Sequence, residues 1–307
     1  MININDRVYG ETTIEESVLI ELINSKPVKR LKGINQSGAS QYVRKGKTVT
    51  RYEHSVGVMI LLKKLEASIE EQIAGLLHDV PHTAFSHVID FVFKDKNYNH
   101  EFHEKFYEKI ILQSEIPGIL KKFGFDVKRI LNEHNFPLLE KPLPNLCADR
   151  IDYTLRDMLA AENFSEKINK YISSFIVYNK EIIISNALIA KSFAEDYLRM
   201  DEEQWSHPLN VAIYQVLADA IKIALNQKII TEKDLFTNDL FIYTKLKESK
   251  NQSILQKLAM LNPKLKIIDN PNDFNFHSRN KLRYIDPKFF NANGSINKVS
   301  DKFKNFS

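Results

Sequence analysis

The otherwise apolar segment AGLLHDVPHTAFSHVID, residues 74–90, contains five titratable side chains within thirteen positions: His78, Asp79, His82, His87 and Asp90. A helix that only packs would carry Leu, Ile, Val or Phe at these positions, because a buried imidazole or carboxylate costs free energy unless it has a partner. We therefore expect these side chains to hold a ligand.

Two other segments direct polar side chains toward the interior. His54 lies four residues before Val58, so it shares the apolar stripe of its helix. In PNLCADRIDYTLRDML, residues 144–159, one helical face carries polar groups at i, i+3, i+4 and i+7, which are Asp149, Asp152, Tyr153 and Arg156. This face is a second functional surface if it meets the first. The alternative is a solvent-exposed helix with an internal Asp152–Arg156 ion pair.

Sequence patterns that mark the start and end of helices predict where these side chains lie. Residues 50–53 read TRYE, the capping-box pattern that begins a helix. The next helix ends near Pro81, because the residue before a proline disfavours the α region, and this puts His78 and Asp79 in its last turn. A third helix is expected to bury Phe85, Val88, Ile89 and Val92.

A mixed nitrogen and oxygen donor set can be assembled from these segments. Two imidazoles and two carboxylates, His54, His78, Asp79 and Asp149, suit Mn²⁺, Fe²⁺, Zn²⁺ or Mg²⁺ and leave positions for water and substrate oxygens. Spacing alone does not establish a metal site, because an inward histidine is more often a hydrogen-bonded core residue.

The motifs RYEHSVGV, AGLLHDVPHTAFSHVID and ADRIDYTLRD resemble, in order and separation, the H…HD…D signature of the HD-domain metal-dependent phosphohydrolases. Within that superfamily the resemblance is strongest to the deoxynucleoside triphosphate triphosphohydrolases. It extends from about Tyr9 to Leu159 and more faintly to Ala220. It implies a mostly α, HD-domain helical fold, to which the pattern of the remaining chain adds a small β-hairpin and a helical C-terminal extension.

The resemblance also implies roles for individual residues. The metal ligands would be His54, His78, Asp79 and Asp149. Of His82 and His87, one would hold the α-phosphate and the other would be the general acid, and Asp90 would orient His87. The alternative is that both histidines contact the metal ligands without binding substrate, or cap a helix.

Substrate contacts are implied at six further positions. Arg51 and His100 match phosphate-contacting residues, and Tyr153 and Gln36 match residues along the sugar. Arg150 stands where the triphosphohydrolases have lysine. Trp205 falls near a substrate-contacting tyrosine, although a lone tryptophan is more often a core residue.

Composition limits the class of protein. With 307 residues, of which 43% are apolar, the chain can bury a sizeable core in one or two domains. A single cysteine, Cys147, excludes an intramolecular disulfide and favours a reducing compartment, so a cytoplasmic location is expected. No secretory signal is visible and no 18 consecutive residues are apolar, so no membrane span is expected.

Positive charge is concentrated before the histidine-rich segment. Residues 22–52 contain no Asp or Glu, whereas eight cations are Lys26, Lys29, Arg30, Lys32, Arg44, Lys45, Lys47 and Arg51. An anion such as phosphate could lie against this segment. The alternative is a solvated basic face without a ligand.

The remainder of the chain contains fewer candidate functional residues. FIVYNKEIIIS is typical of a β-hairpin with Asn179 and Lys180 at the turn, and the segments after it have helical patterns. We divide the chain into an HD phosphohydrolase domain, residues 1–165, and a helical and hairpin region, residues 166–307, which completes the pocket or an oligomer interface.

Three functions remain open at this point. The preferred one is hydrolysis of a deoxynucleoside triphosphate to deoxynucleoside and triphosphate. The second keeps the metal and acts as a 5′-nucleotidase or on another phosphomonoester or phosphodiester. The third, motivated by the basic segment, is a regulator that binds nucleotide or single-stranded nucleic acid without turnover. A homo-oligomer is expected from the family resemblance.

Overall fold

The computed structural model describes residues 1–93, 102–161, 165–268, 270, 272–274, 283–291 and 294–303. Within these residues helices dominate and the strands are short. The mostly α fold that the sequence predicts is therefore confirmed.

The chain begins with an antiparallel hairpin that packs on the core. Strands β1 (Ile2–Asp6) and β2 (Gly10–Ile14) pair so that Asp6 lies opposite Gly10. Two helices follow, α1 (Ser17–Asn24) and α2 (Lys26–Arg30). Ile14 is completely buried, so the hairpin belongs to the packed core.

Three helices carry the histidine motifs: α3 (Arg51–Lys64), α4 (Ile69–Leu77) and α5 (Val88–Val92). The predicted start of α3 is confirmed, because the Thr50 side chain accepts from the Glu53 N–H and the Glu53 carboxylate accepts from the Thr50 N–H. Helix α4 ends one residue before His78. His78 and Asp79 therefore lie in the turn that follows α4 rather than in its last helical turn.

The third predicted helix begins three residues later than expected. Phe85 and Ser86 have φ angles of 62° and 51°, in the left-handed region, so the helix cannot include them. The Phe85 N–H donates to Asp239 Oδ1 at 2.7 Å, and the Ser86 hydroxyl donates to the Asn35 carbonyl at 2.8 Å. These contacts come from distant parts of the chain and hold the turn in its strained conformation.

The middle of the chain is helical. It contains α6 (Tyr107–Leu112), α7 (Ile116–Lys122), α8 (Val127–Leu131), α9 (Ala148–Ala160) and α10 (Ser165–Ser174). Helix α9 packs against α3, which brings the polar faces of the two helices together.

The predicted hairpin is confirmed as β3 (Phe175–Tyr178) and β4 (Glu181–Ile184), with Asn179 and Lys180 at positive φ in the turn. The following helices are α11 (Ala187–Met200), α12 (Pro208–Asn226), α13 (Asp239–Glu248) and α14 (Gln252–Met260). Strands β5 (Lys288–Phe290) and β6 (Ile296–Lys298) extend the hairpin to a sheet of order β3-β4-β5-β6, and α15 (Val299–Lys302) follows.

Buried apolar side chains form two clusters. The larger cluster joins the N-terminal hairpin, α1, α3, α4, α9 and α11. The smaller one joins α5 to α12, α13 and α14. Both clusters therefore combine residues from each side of position 165, and the division of the chain at that position stays a prediction.

Helix α12 is long and apolar enough, by length and composition, to cross a membrane. It also carries Asp219, which forms a 2.8 Å ion pair with Lys257 on α14, and it packs against α5 and α14. These contacts are typical of the core helix of a globular fold.

Candidate active site

The four candidate metal ligands lie together. Asp149, in the first turn of α9, has its Oδ1 atom 2.9 Å from His54 Nε2 on α3 and 3.4 Å from His78 Nε2. Asp79 lies on the other side, with Oδ1 3.5 Å from His78 Nε2 and Oδ2 3.8 Å from His54 Nε2. We call these four residues the metal cluster.

The orientation of the two imidazoles fits a bound cation. His54 Nδ1 lies 2.7 Å from Asp152 Oδ2 and His78 Nδ1 lies 2.7 Å from the Gly75 carbonyl oxygen, so each Nδ1 donates a proton and each Nε2 faces the carboxylates. Among the described residues, buried His78 Nε2 has no hydrogen-bond partner. A nitrogen lone pair and a carboxylate oxygen repel at such distances unless a proton or a cation lies between them, so the cluster can bind a divalent metal.

The electrostatics of these residues also favours a bound cation. Burial opposes protonation of His54, but hydrogen bonds to Asp149 and Asp152 outweigh burial and raise its pKa to about 10. Burial opposes the charged form of Asp149 as well, yet the close approach of the His54 and His78 imidazoles holds its pKa well below the usual value. The carboxylates therefore favour positive charge at the centre of the cluster, which either a proton or a metal ion supplies.

Arg51 contacts the cluster from the first turn of α3. Its guanidinium is buried, and Nη1 donates to Asp79 Oδ2 at 2.9 Å while Nε donates to Ser86 Oγ at 3.0 Å. The left-handed turn at Ser86 thus positions a cation directly beside the metal cluster, where it can face a phosphate.

A group of three imidazoles adjoins Asp79. His82 Nε2 is 3.1 Å from Asp79 Oδ1, and the His82 ring stacks on the His103 ring at a centroid distance of 3.8 Å. The ring of His87 meets that of His82 edge-on at 5.3 Å, and its Nδ1 lies 3.0 Å from Asp90 Oδ2. Burial lowers the pKa of His82 well below the usual value and that of His103 to about 3, so both rings are neutral.

The family resemblance pointed to His100 in the segment NHEFHEKF and not to His103. His100 lies outside the described residues. The signal that could have found His103 is the second histidine, three positions further on. Stacking on His82 assigns His103 to the site.

The polar side chains further along α9 lead away from the metal cluster. The Tyr153 hydroxyl lies 2.9 Å from that of Tyr197, and its ring meets the Trp205 ring at 5.2 Å. Trp205 is partly buried and donates through Nε1 to Asp157 Oδ2 at 2.7 Å. One face of α9 therefore runs from a metal-cluster carboxylate to an aromatic group.

Arg150 and Gln36 have contacts with groups outside the metal cluster. Arg150 is buried and donates through Nη1 to the Asn145 carbonyl at 2.7 Å and to Cys147 Sγ at 3.0 Å, with Nη2 3.4 Å from Glu140 Oε1. Gln36 is half-buried in the segment before α3, where its N–H donates to the Val49 carbonyl.

The exposed-helix interpretation of residues 144–159 is wrong. Asp152 and Arg156 do form the ion pair expected at i, i+4, but their side chains are completely buried and Asp152 also holds His54. The polar face of α9 therefore faces α3, as the functional interpretation expects.

Within the basic segment, the side chains of Arg30, Arg44, Lys47 and Arg51 bond to other protein groups. Arg30 donates to the carbonyl oxygens of Val80 and His82, and so supports the turn that carries Asp79.

Beside the C-terminal end of α9 lies a cavity of about 340 Å³, which is lined by Arg44, Lys45, Lys47, Asp157, Ala160, Ala161 and Gln204.

Comparison with known proteins agrees with this site. The HD domain model matches residues 51–157. The chain is 32% identical to the metal-dependent phosphohydrolase cns2 of Cordyceps militaris over 92% of this chain and 84% of that one. It is 32% identical to the deoxynucleoside triphosphate triphosphohydrolase SAMHD1 of Mus musculus, but only over 39% of this chain and 21% of that one.

A hypothetical protein from Aquifex aeolicus has the same fold. Its crystal structure matches with a TM-score of 0.73 at 21% identity, and the match covers 99% of this chain and 92% of that one. Taken with the similarity to cns2, the site defines a hydrolase. The chain belongs to the HD-domain family of metal-dependent phosphohydrolases.

Proposed function

We propose that this hydrolase cleaves nucleotides at the phosphate bonded to the sugar 5′ oxygen, and that deoxynucleoside triphosphates are its preferred substrates. The products would be deoxynucleoside and intact triphosphate. The observation that carries the proposal is that Arg51 and His82 of the His82–His87–His103 group both contact Asp79 of the metal cluster, one at each carboxylate oxygen. The local similarity to SAMHD1, named as a deoxynucleoside triphosphate triphosphohydrolase, supports the choice of substrate.

His54, His78, Asp79 and Asp149 would hold the divalent ion, as their converging Nε2 and carboxylate oxygen atoms allow. When bound, such an ion draws charge from phosphoryl oxygens and lowers the pKa of water. Mn²⁺, Fe²⁺, Zn²⁺ and Mg²⁺ all accept this donor set.

The protein side chains would supply the remaining chemistry. Arg51 brings a positive charge, fixed by Asp79 and Ser86, to the place where the phosphoryl oxygens gain charge. His87 would protonate the leaving 5′ oxygen. Its Nδ1 is held by Asp90 and its side chain is 47% exposed, so the other ring nitrogen remains accessible to substrate.

The far end of the substrate would lie along α9. Tyr153 and Trp205 give an aromatic surface one to two helical turns beyond the metal cluster. A nucleoside extending from the cleaved phosphate would reach it, because four residues of helix rise about 6 Å.

Hydrolysis of nucleoside monophosphates is a second candidate. It is favoured by the environment of Arg150, whose Nη1 and Nη2 atoms already face Asn145, Cys147 and Glu140. Less of its charge is then available for the β- and γ-phosphates of a triphosphate. Both candidates break the same bond and release a nucleoside.

Product analysis distinguishes the two candidates. Purified protein with Mn²⁺ would be given deoxy- and ribonucleoside mono-, di- and triphosphates, and the products would be resolved by mass. Deoxynucleoside plus intact triphosphate supports the first candidate, whereas orthophosphate from monophosphates alone supports the second. Turnover should be lost in Asp79→Ala and retained in Asp273→Ala, which removes an exposed carboxylate. Absence of turnover on the whole panel would contradict both.

A further inference from the structure

A buried chain of charged groups extends from the metal cluster to the other side of α9. Asp152 Oδ2 accepts from His54 Nδ1 at 2.7 Å and, at the same distance, from Arg156 Nε. One carboxylate oxygen therefore serves both a candidate metal ligand and an arginine. Any change in how that arginine is held acts on the hydrogen bond that holds His54.

The other side of the Arg156 guanidinium contacts the N-terminal hairpin. Arg156 Nη2 donates to Asp6 Oδ2 at 2.7 Å. The other oxygen of Asp6 accepts the backbone N–H groups of Val8 and Tyr9 at 2.8 and 3.0 Å. The turn between β1 and β2 thus fixes Asp6, and Asp6 fixes Arg156.

These groups are removed from water. His54 and Asp152 are 0% exposed, Arg156 is 1% exposed and Asp6 is 7% exposed. Solvent screens such a chain weakly, so each charge acts strongly on the next. Arg156 is suited to this position because its planar guanidinium can bind two carboxylates in fixed directions, which a lysine cannot do.

A glycine in the middle of α3 provides the space for the chain. A Cβ atom at Gly57 would lie 1.8 Å from Arg156 Nη2 and 2.2 Å from Asp152 Oδ1. Glycine inside a helix is less favourable than alanine. The position therefore gives up helix stability so that the two charged side chains can pass against α3.

We propose that Asp6 is a positioning residue for the metal cluster, which acts on His54 through Arg156 and Asp152. Without the charge of Asp6, Arg156 neutralises Asp152 more completely. Asp152 then holds the Nδ1–H of His54 less strongly, and His54 Nε2 becomes a less well oriented and less basic ligand. The N-terminal hairpin thereby sets the metal affinity of residues far from it in sequence. This inference rests on the proposed role of His54 as a metal ligand.

The alternative role of the chain is to anchor the hairpin without effect on the metal. Asp6→Asn separates the two roles, because the amide oxygen can still accept from Val8 and Tyr9 while the charge facing Arg156 is lost. Glu11→Gln is the matched control, since it removes an exposed carboxylate from the same hairpin. Mn²⁺ affinity would be measured by titration calorimetry, and the melting temperature would be measured without metal.

The expected result is a Mn²⁺ affinity about tenfold weaker in Asp6→Asn and unchanged in Glu11→Gln. The roughly tenfold loss is typical of substitutions at residues that support a metal ligand without binding the metal. Asp152→Asn should weaken binding by about 10- to 100-fold, and the double variant should not lose the sum of the two effects, because both act through one chain. If Asp6→Asn does not fold, Asp6→Ser makes the same test, because it also removes the charge facing Arg156 while its hydroxyl can accept from the N–H groups of Val8 and Tyr9.

Two results would overturn the inference. Folded variants that bind Mn²⁺ as tightly as the wild type, with only a lower melting temperature, would show that Asp6 anchors the hairpin without affecting the metal. A wild-type protein that binds no Mn²⁺ would remove the metal site and this inference with it. Neither readout depends on which nucleotide is hydrolysed, so failure of the substrate assignment leaves the inference standing.

Discussion

Three histidines of the site each have one ring nitrogen held by a protein acceptor, which determines what the other nitrogen can do. Asp152 holds His54, the Gly75 carbonyl holds His78 and Asp90 holds His87. The first two rings turn Nε2 toward carboxylates, and the third turns it toward an accessible surface. The same side chain can thus serve as a ligand or as an acid, depending on its neighbour.

Sequence motifs predicted which histidines and aspartates lie together, because their spacing and family resemblance are local properties. They could not predict the Gly75 carbonyl as the acceptor for His78, since any residue offers a carbonyl. They also did not predict the stacking of His103 on His82. That contact depends on the path of the chain after α5 and not on a motif.

Replacement of the candidate acid tests the residue-scale assignment. His87→Asn should lower kcat by about 10²- to 10⁴-fold, because proton transfer to the leaving oxygen is lost, while Mn²⁺ affinity stays unchanged. His134→Asn changes an exposed histidine outside the site and should leave kcat unchanged. Steady-state kinetics with calorimetry measures both. A kcat within a few-fold of wild type in His87→Asn would assign the acid to another residue.

At the scale of elements, the close approach of α3 and α9 creates the site. Helix α3 contributes Arg51 and His54, and α9 contributes Asp149 and Asp152. The capping box and the apolar periodicity predicted both helices, whereas the left-handed turn at Phe85 was missed. Its acceptor, Asp239, lies 154 residues further along the chain, so no local pattern could reveal it.

Gly57→Ala tests the approach of the two helices. The added methyl group would overlap Arg156 and Asp152, so we expect the free energy of unfolding to fall by about 1–3 kcal/mol and Mn²⁺ binding to weaken. Gly118→Ala is the control within α7, because its Cβ meets no atom within 4 Å. That variant should be as stable as wild type or more stable by up to about 1 kcal/mol in urea unfolding. Equal behaviour of the two variants would contradict the packing argument.

At the scale of the whole molecule, Asp239 on α13 connects the smaller apolar cluster to the turn beside the metal cluster. Its carboxylate accepts from the N–H groups of Phe85 and Asn35 and from Gln41 Nε2. The C-terminal region therefore supports the site through the backbone. Composition and periodicity predicted its helices and hairpin, but not this contact. A homo-oligomer remains a prediction, for which the molecular mass in solution is the test.

The pH dependence of stability tests the role of Asp239. Burial raises its pKa to about 6, above the ordinary 3.8, so its stabilising contribution is complete below pH 3.8 and is lost as the pH rises through about 6. Relative to Asp239→Asn, the free energy of unfolding of the wild type should fall by about 2 kcal/mol between pH 4.5 and pH 7.5. Urea unfolding at both pH values measures this difference. A constant difference would show that the carboxyl does not titrate in this range.

Anomalous diffraction from crystals soaked in Mn²⁺ tests the central claim most directly. The expected result is one strong peak about 2.0–2.4 Å from His54 Nε2, His78 Nε2 and carboxylate oxygens of Asp79 and Asp149. A peak at Glu140 and Cys147, which with Asp149 form another group of possible ligands, would contradict the assignment, as would the absence of any peak near Asp149.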